Sequence, residues 1–148
     1  MKIFLMQHGK SLPEEVDPEK SLSSEGRIET EKIADILRNI GVKPDKILTS
    51  GKKRAIETAE IVSRYLDVGY ERVEGLNPLD DPSIIYSKLM DMERDIFIVG
   101  HLPHLSRLLS KILGVDREVV KFRYSGVVCL EKEEVWRILW YIRPDIIR

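Results

Sequence analysis

Short apolar runs alternate with longer segments of helical periodicity, and this alternation constrains the fold more than any other feature of the chain. The clearest runs lie at residues 3–6 and 96–99, where four consecutive apolar residues are typical of a strand buried on both faces. Elsewhere apolar residues recur at helical spacing, as in Ile33, Ile36, Leu37 and Ile40. Strands that alternate with helices predict an α/β fold built on a mainly parallel sheet.

Six strands are expected in total, at residues 3–6, 46–49, 70–73, 95–99, 127–130 and 135–142. The last two are separated by a short turn, which predicts an antiparallel portion of the sheet. Ser23 is the predicted N-cap of the first helix and Gly41 its end, while Ser83 is the predicted cap of the third helix. We therefore expect one three-layer domain over residues 1–148, with helices on both faces of the sheet.

The charge and cysteine content exclude several classes of protein. Lys and Arg number 24 against 25 Asp and Glu, so the chain carries no basic excess to attract nucleic acid or an anionic membrane. Its apolar runs are too short for a signal peptide or a membrane span, and we expect a cytoplasmic protein. The single cysteine, Cys129, falls in a predicted strand and is interpreted as a buried small hydrophobe.

Polar residues follow three of the predicted strands directly. They are Gln7, His8 and Gly9 after the first strand, residues 50–54 after the second, and Gly100 with His101 after the fourth. Ligand sites of open α/β sheets gather at the carboxyl ends of the strands, so these groups are expected to meet.

The residue types in these groups suit a phosphoryl group. Arg54 offers a planar fork to two phosphate oxygens, and helix N-termini favour anions. A neutral imidazole such as that of His8 is a competent nucleophile towards phosphorus. Gly9 lacks a side chain and is predicted to bring its amide close to the ligand.

The same segments resemble a known family in their order and spacing. MQHG at residues 6–9 resembles the Arg-His-Gly motif of the histidine phosphatase superfamily, which is phosphoglycerate mutase-like in fold. SGKKRAIETA at residues 50–59 resembles that family's Ser-Pro-x-x-Arg-Ala-x-x-Thr-Ala, and GHLP at residues 100–103 resembles its second-histidine motif. The short chain, with no inserted cap, is most similar to the SixA-type phosphohistidine phosphatases.

This resemblance implies a role for each site residue. His8 would take the phosphoryl group, while Arg54 and a protonated His101 would bind its oxygens, with Gln7 and Gly9 beside them. The substrate would be a phosphohistidine on a protein or, alternatively, a small phosphate ester. Neither a metal ion nor an organic cofactor is implied.

Two positions depart from the family pattern. Gln7 stands where the family has Arg, which keeps hydrogen-bond donors but loses a positive charge. Lys10 and Lys52 are close enough in sequence to compensate, and a weakly active or inactive phosphate-binding module is the alternative to an enzyme. Gly51 stands where the family has Pro, which is expected to loosen the turn before Arg54.

Two further sets of residues have open interpretations. Glu74, Asp80 and Asp81 lie where larger family members carry the general acid, and the chain either uses one of them or has none. His104 is interpreted as a surface residue. A metal site formed by His8, His101 and His104 is disfavoured, because their spacing matches no metallohydrolase motif.

Overall fold

Six strands form one mixed sheet in a computed structural model that describes residues 1–147. The strands are β1 (Lys2–Gln7), β2 (Lys46–Thr49), β3 (Tyr70–Arg72), β4 (Ile96–Gly100), β5 (Val127–Lys132) and β6 (Trp136–Ile142). The helices are α1 (Ser24–Asn39), α2 (Lys53–Leu66), α3 (Pro82–Met92) and α4 (His104–Leu113), followed by a short 3₁₀ turn at Pro144–Ile146.

The strand order across the sheet is β3-β2-β4-β1-β5-β6. Neighbouring strands run parallel from β3 to β1, whereas β5 is antiparallel to both β1 and β6. The prediction of an α/β fold with a mainly parallel sheet and an antiparallel portion is confirmed. Because β2, β4 and β1 are neighbours, the residues that follow them leave the sheet side by side.

The helices lie on both faces of this sheet. Alternate residues of β1 divide between two cores, with Phe4 and Met6 in one and Ile3 and Leu5 in the other. The first core contains the apolar side chains of α1 and α2, and the second contains those of α3 and α4. The result is the predicted three-layer arrangement.

The helix starts follow local capping rules, with one difference from the prediction. The Ser23 side chain accepts a hydrogen bond from the Gly26 amide, as expected of an N-cap. The prediction that Ser83 caps α3 is wrong, because Asp81 is the cap and accepts from the Ser83 amide. Pro82 is the first helical residue, a position where the missing N–H costs nothing, so the cap lies before it.

Candidate active site

The residues that follow β1, β2 and β4 converge at one edge of the sheet. The His8 amide donates to the Gly100 carbonyl at 3.0 Å, which ties the end of β1 to the end of β4. The ring centroids of His8 and His101 are 5.0 Å apart. Arg54, in the first turn of α2, directs its Nε to His8 Nε2 at 3.3 Å. The three residues at the centre of the predicted site therefore share one small volume.

The hydrogen bonds of His8 define its tautomer. Its Nδ1 lies 2.7 Å from the Gly9 carbonyl oxygen, which can only accept, so we assign the ring proton to Nδ1. Nε2 then carries the lone pair and accepts from Arg54. Burial lowers the pKa of His8 to about 4, and the positive charges of Arg54 and Lys20 act in the same direction. At neutral pH the ring is uncharged, with its lone pair directed into the site.

His101 is enclosed more fully, at 1% exposure. Its Nε2 lies 2.6 Å from the Ser50 hydroxyl, and its Nδ1 has no hydrogen-bond partner among residues 1–147. Burial lowers the pKa of His101 to about 3, and the nearby His8, Arg54 and Lys52 contribute. Without substrate, no anion offsets the cost of a buried charge, so His101 is neutral; the protonated form expected from the resemblance concerns the complex with a phosphoryl group.

Thr58 connects the nucleophile loop to the helix that carries Arg54. The Thr58 hydroxyl donates to the Arg54 carbonyl at 2.8 Å and accepts from the Gly9 amide at 3.0 Å. Both bonds are buried or partly buried and so are not exchanged readily for bonds to water. They hold His8 and Arg54 in a constant relative position.

Gly9 has a different role from the one expected. Its amide is occupied by Thr58, so the prediction that this amide binds phosphate is wrong. A Cβ at Gly9 would lie 2.7 Å from Thr30 Oγ1 and 3.1 Å from the Gly26 carbonyl oxygen. Gly9 is thus needed for the close approach of α1 to the end of β1, which is a packing function.

Gln7 ends β1 and is almost fully enclosed, at 8% exposure. Its backbone pairs with Gly126 and Ser125, and its side-chain Oε1 has no hydrogen-bond partner in the part of the chain that the structure describes. The residue before His8 therefore presents an unpaired, uncharged amide oxygen, whereas the family's Arg carries a positive charge at the same position.

The charge that surrounds the site comes only in part from the lysines that the sequence suggested. Lys10 is exposed, and its ammonium forms an ion pair with Glu25 at 2.8 Å. Lys52 is close enough to lower the pKa of His101, and Lys20 lowers that of His8. Neither Lys20 nor Lys52 forms an ion pair with any residue in the range 1–147.

Lys20 and Tyr124 are neighbours of His8 that the sequence analysis missed. Lys20 has an unusual left-handed backbone, with φ of 53°, and lies in the loop that joins β1 to α1. The Tyr124 ring lies 5.7 Å from the His8 ring, centroid to centroid. Neither is marked by a motif, because both reach the site through loops whose path depends on the folded sheet.

His104 is buried, and the prediction of a surface residue is wrong. It is 0% exposed, and the backbone of Gly75 lies close enough to raise its pKa, although no contact of either ring nitrogen within residues 1–147 has full hydrogen-bond geometry. It belongs to the buried face of α4 together with Leu105, Leu108 and Leu109. Burial lowers the pKa of His104. In the described residues, no three His, Cys, Asp or Glu side chains form a group that could hold a metal ion.

The three acidic candidates differ in their surroundings. Asp81 caps α3, and Asp80 accepts from the Asn77 amide at 3.0 Å. Glu74 is exposed and lines a small cavity that it shares with Lys52. Of the three, Glu74 is the one that shares a cavity with Lys52 and makes no hydrogen bond or ion pair within residues 1–147.

The remaining sequence predictions concern the core and the membrane. Cys129 is 1% exposed, and burial raises the pKa of its thiol to about 11, which confirms it as a buried hydrophobe. No helix within residues 1–147 has both the length and the apolar character that crossing a bilayer requires.

Comparison with proteins of known sequence and structure defines the class of this molecule. A sequence model of the histidine phosphatase superfamily (branch 1) matches residues 3–80. The solved structure of the protein histidine phosphatase SixA with tungstate superposes over 100% of both chains, with a TM-score of 0.91 and 21% identity. A mycobacterial glucosyl-3-phosphoglycerate phosphatase superposes over 94% of this chain and 97% of its own, with a TM-score of 0.78 and 14% identity.

Two relatives in sequence match about half of the chain. A 6-phosphofructo-2-kinase/fructose-2,6-bisphosphatase from Gallus gallus is 36% identical over 81 residues, which are 53% of this chain and 16% of that protein. The mitochondrial serine/threonine-protein phosphatase Pgam5 from Drosophila mojavensis is 33% identical over 78 residues, which are 52% of this chain and 27% of that protein. The match thus spans about a quarter or less of the length of either relative. The chain belongs to the histidine phosphatase superfamily.

Proposed function

We propose that this protein is a phosphatase that works through a phosphohistidine on His8 and acts on phosphohistidine carried by a protein. The observation that supports the enzymatic role most directly is the state of His8. Its Nε2 is unprotonated and lies 3.3 Å from a guanidinium nitrogen of Arg54, so nucleophile and oxyanion donor are already adjacent.

The proposed reaction has two steps. His8 Nε2 attacks phosphorus, a P–N bond forms, and the bond to the leaving group breaks while Arg54 and His101 face the phosphoryl oxygens. Water then attacks the phosphorus, the bond to Nε2 breaks, and inorganic phosphate leaves with the proton that water brought. His8 returns to its neutral form, and its Nδ1 keeps its proton throughout, donated in a hydrogen bond to the Gly9 carbonyl.

The leaving group supports a phosphohistidine substrate. A phosphorylated imidazole that is protonated on its other nitrogen departs as a neutral ring and needs no further proton. Asp80 and Asp81 each accept a backbone hydrogen bond in the loop before α3, so one oxygen of each carboxylate is already engaged. The fold shared with the protein histidine phosphatase SixA, over the whole of both chains, favours the same kind of substrate.

A rapid-quench experiment tests the phosphoenzyme. The protein is mixed with a ³²P-phosphohistidine protein, quenched in alkali and digested, and the labelled peptide is identified. We expect alkali-stable, acid-labile label on His8, none in His8→Ala, and normal labelling in Lys10→Gln, which changes a nearby charge outside the site. Turnover without label on His8 would refute the proposal, and binding without turnover would show a phosphate-binding module.

A small phosphate ester is the second candidate, and the position of Glu74 favours it. An alkoxide leaving group requires a proton, and Glu74 is an exposed carboxylate at the correct edge of the sheet. If Glu74 is the acid, Glu74→Gln slows hydrolysis of alkyl phosphates much more than that of aryl phosphates. Equal effects on both would remove Glu74 from this role.

A further inference from the structure

Gly51 makes room for an arginine at the edge of the candidate active site. A Cβ placed on Gly51 would lie 2.5 Å from Cζ, Nε and Nη2 of Arg72, so the guanidinium packs directly against the bare backbone of Gly51. A proline, which is the family's residue here, would fill the space that the guanidinium occupies. Gly51 therefore leaves the space in which the Arg72 guanidinium lies, an effect separate from the looser turn expected from the sequence.

This arrangement places Arg72 beside the catalytic residues but outside them. Arg72 ends β3 and Gly51 follows β2, so both are at the carboxyl edge of the parallel sheet. Ser50, which precedes Gly51, holds His101 Nε2 at 2.6 Å. Arg72 is thus separated from His101 by the backbone of residues 50 and 51. A group bound at Arg72 would therefore lie outside the transferred phosphoryl group, on another part of the substrate.

A cavity of about 150 Å³ lies at this position. It is lined by Gly51, Lys52, Arg72, Val73, Glu74 and Asn77. It is too small for a whole substrate but large enough for one carboxylate or phosphate group. Two of the lining side chains are cations, and one is a carboxylate.

The two cations of the cavity are not neutralised by the protein. Within residues 1–147, the side chains of Arg72 and Lys52 form no ion pair and no hydrogen bond, with Glu74 or with any other residue. The neighbouring lysines differ, because Lys53 pairs with Glu19 at 2.9 Å and Lys46 pairs with Glu71 at 3.2 Å. A guanidinium fork without a partner suits a carboxylate or a phosphate, which it can bind through two parallel hydrogen bonds.

We propose that Arg72, together with Lys52, binds a second anionic group of the substrate and so selects substrates with negative charge beside the phosphoryl group. The second group is a carboxylate of an acidic residue or another phosphate, since both offer the oxygens that the fork recognises. This inference rests on the proposed function, because it assigns specificity to the same site. Arg72 does not touch the transferred phosphoryl group and acts on binding of the rest of the substrate.

Three matched phosphohistidine peptides test the proposal, with Asn, Asp or phosphoserine next to the phosphohistidine. The wild-type protein is expected to show about tenfold higher kcat/KM for a charged peptide than for the Asn peptide, through a lower KM. A preference for Asp identifies a carboxylate as the second group, and a preference for phosphoserine alone identifies a phosphate. Arg72→Gln is expected to remove the preference while leaving turnover of the Asn peptide within about twofold.

Two further variants separate a specific role from a general effect of charge. Arg94→Gln removes an exposed arginine just before β4, at the opposite edge of the sheet, and is expected to retain the full preference. Gly51→Pro is expected to displace the guanidinium and lose the preference with Arg72 still present. Equal kcat/KM for the three peptides in the wild type, or an unchanged preference in Arg72→Gln, would overturn the proposal.

Failure of the proposed function is distinguishable from failure of this inference. If the wild type hydrolyses none of the peptides, the proposed activity fails, and equilibrium binding of the same peptides decides the role of Arg72. Tighter binding of a charged peptide that is lost in Arg72→Gln supports the anion site. Binding that does not depend on the added charge, or on Arg72, refutes it.

Discussion

All three histidines of the chain are buried, and we expect this to make the fold sensitive to mild acid. His8, His101 and His104 have exposures of 7%, 1% and 0%. Burial lowers the pKa of His8 to about 4 and of His101 to about 3, from an ordinary value of 6.5, and it lowers that of His104 as well. At a pH between the folded pKa values and 6.5, the folded chain therefore binds fewer protons than the unfolded chain. Acid in this range favours unfolding.

The size of the effect follows from the pKa values. The contribution of each neutral histidine to stability is fully present above pH 6.5 and is lost as the pH falls, at about 1.4 kcal/mol per pH unit, until the folded pKa is reached. At pH 5, which is above both folded pKa values, His8 and His101 each lower the free energy of unfolding by about 2 kcal/mol relative to neutral pH. Two such losses are a large share of the roughly 5–15 kcal/mol that stabilises a typical domain.

Urea unfolding at pH 7 and pH 5, followed by circular dichroism at constant ionic strength, measures this loss. His101→Gln is expected to lose about 2 kcal/mol less than the wild type between the two pH values. Ser50→Ala is the matched control, because it removes the 2.6 Å hydrogen bond of His101 but keeps the titrating ring. It should be less stable at both pH values and show the full pH dependence.

The outcome for His101→Gln decides whether this reasoning is correct. An unchanged loss between pH 7 and pH 5 would mean that His101 takes up its proton in the folded state with an ordinary pKa. The burial argument would then be wrong, and a protonated His101 would be available before the substrate arrives.

Three further substitutions have defined expectations. Gln7→Arg should raise kcat for an aryl phosphate, by up to roughly a hundredfold if one oxyanion donor is worth about 3 kcal/mol, and an unchanged kcat would show that other cations already supply the charge. Gly26→Ala should lower the free energy of unfolding by about 3 kcal/mol, because its Cβ would lie 2.1 Å from the Lys10 carbonyl oxygen, and calorimetry that finds less than about 1 kcal/mol would contradict this contact. Thr58→Val should cost about 1–3 kcal/mol in urea unfolding and slow phosphoenzyme formation, since the buried Gly9 amide loses its acceptor, and normal rates would show that the nucleophile loop is held by other contacts.

The sheet was predictable because its signals are local. Continuous apolar runs at residues 3–6 and 96–99 indicate strands that are covered on both faces, and they form β1 and β4. The order of the strands is not local, since adjacency of β2, β4 and β1 arises only when the helices pack on the sheet. The convergence of His8, Arg54 and His101 was inferred from a general rule for such sheets, and the structure supplies the distances.

The wrong predictions for His104 and Gly9 share one cause, which is that burial at the ends of helices and strands depends on what packs there. His104 lies four residues before Leu108, on the apolar stripe of α4, so its spacing does carry a signal of burial. The sequence analysis assigned Gly9 a contact with the ligand. Its missing side chain instead accommodates Thr30 of α1, a contact between segments distant in sequence. The charge of Lys20 acts on His8 from a loop, and no periodicity of the sequence predicts the path of a loop.

The two departures from the family pattern together change where positive charge lies in the site. Gln7 removes a charge from the enclosed end of β1, at 8% exposure, whereas Gly51 admits the exposed guanidinium of Arg72 at the rim. Charge beside the reacting phosphorus stabilises the transition state, while charge at the rim acts on the remainder of the substrate. We therefore expect the exchange to lower kcat and to increase selectivity for anionic substrates, so that Gln7→Arg and Arg72→Gln should change different kinetic constants.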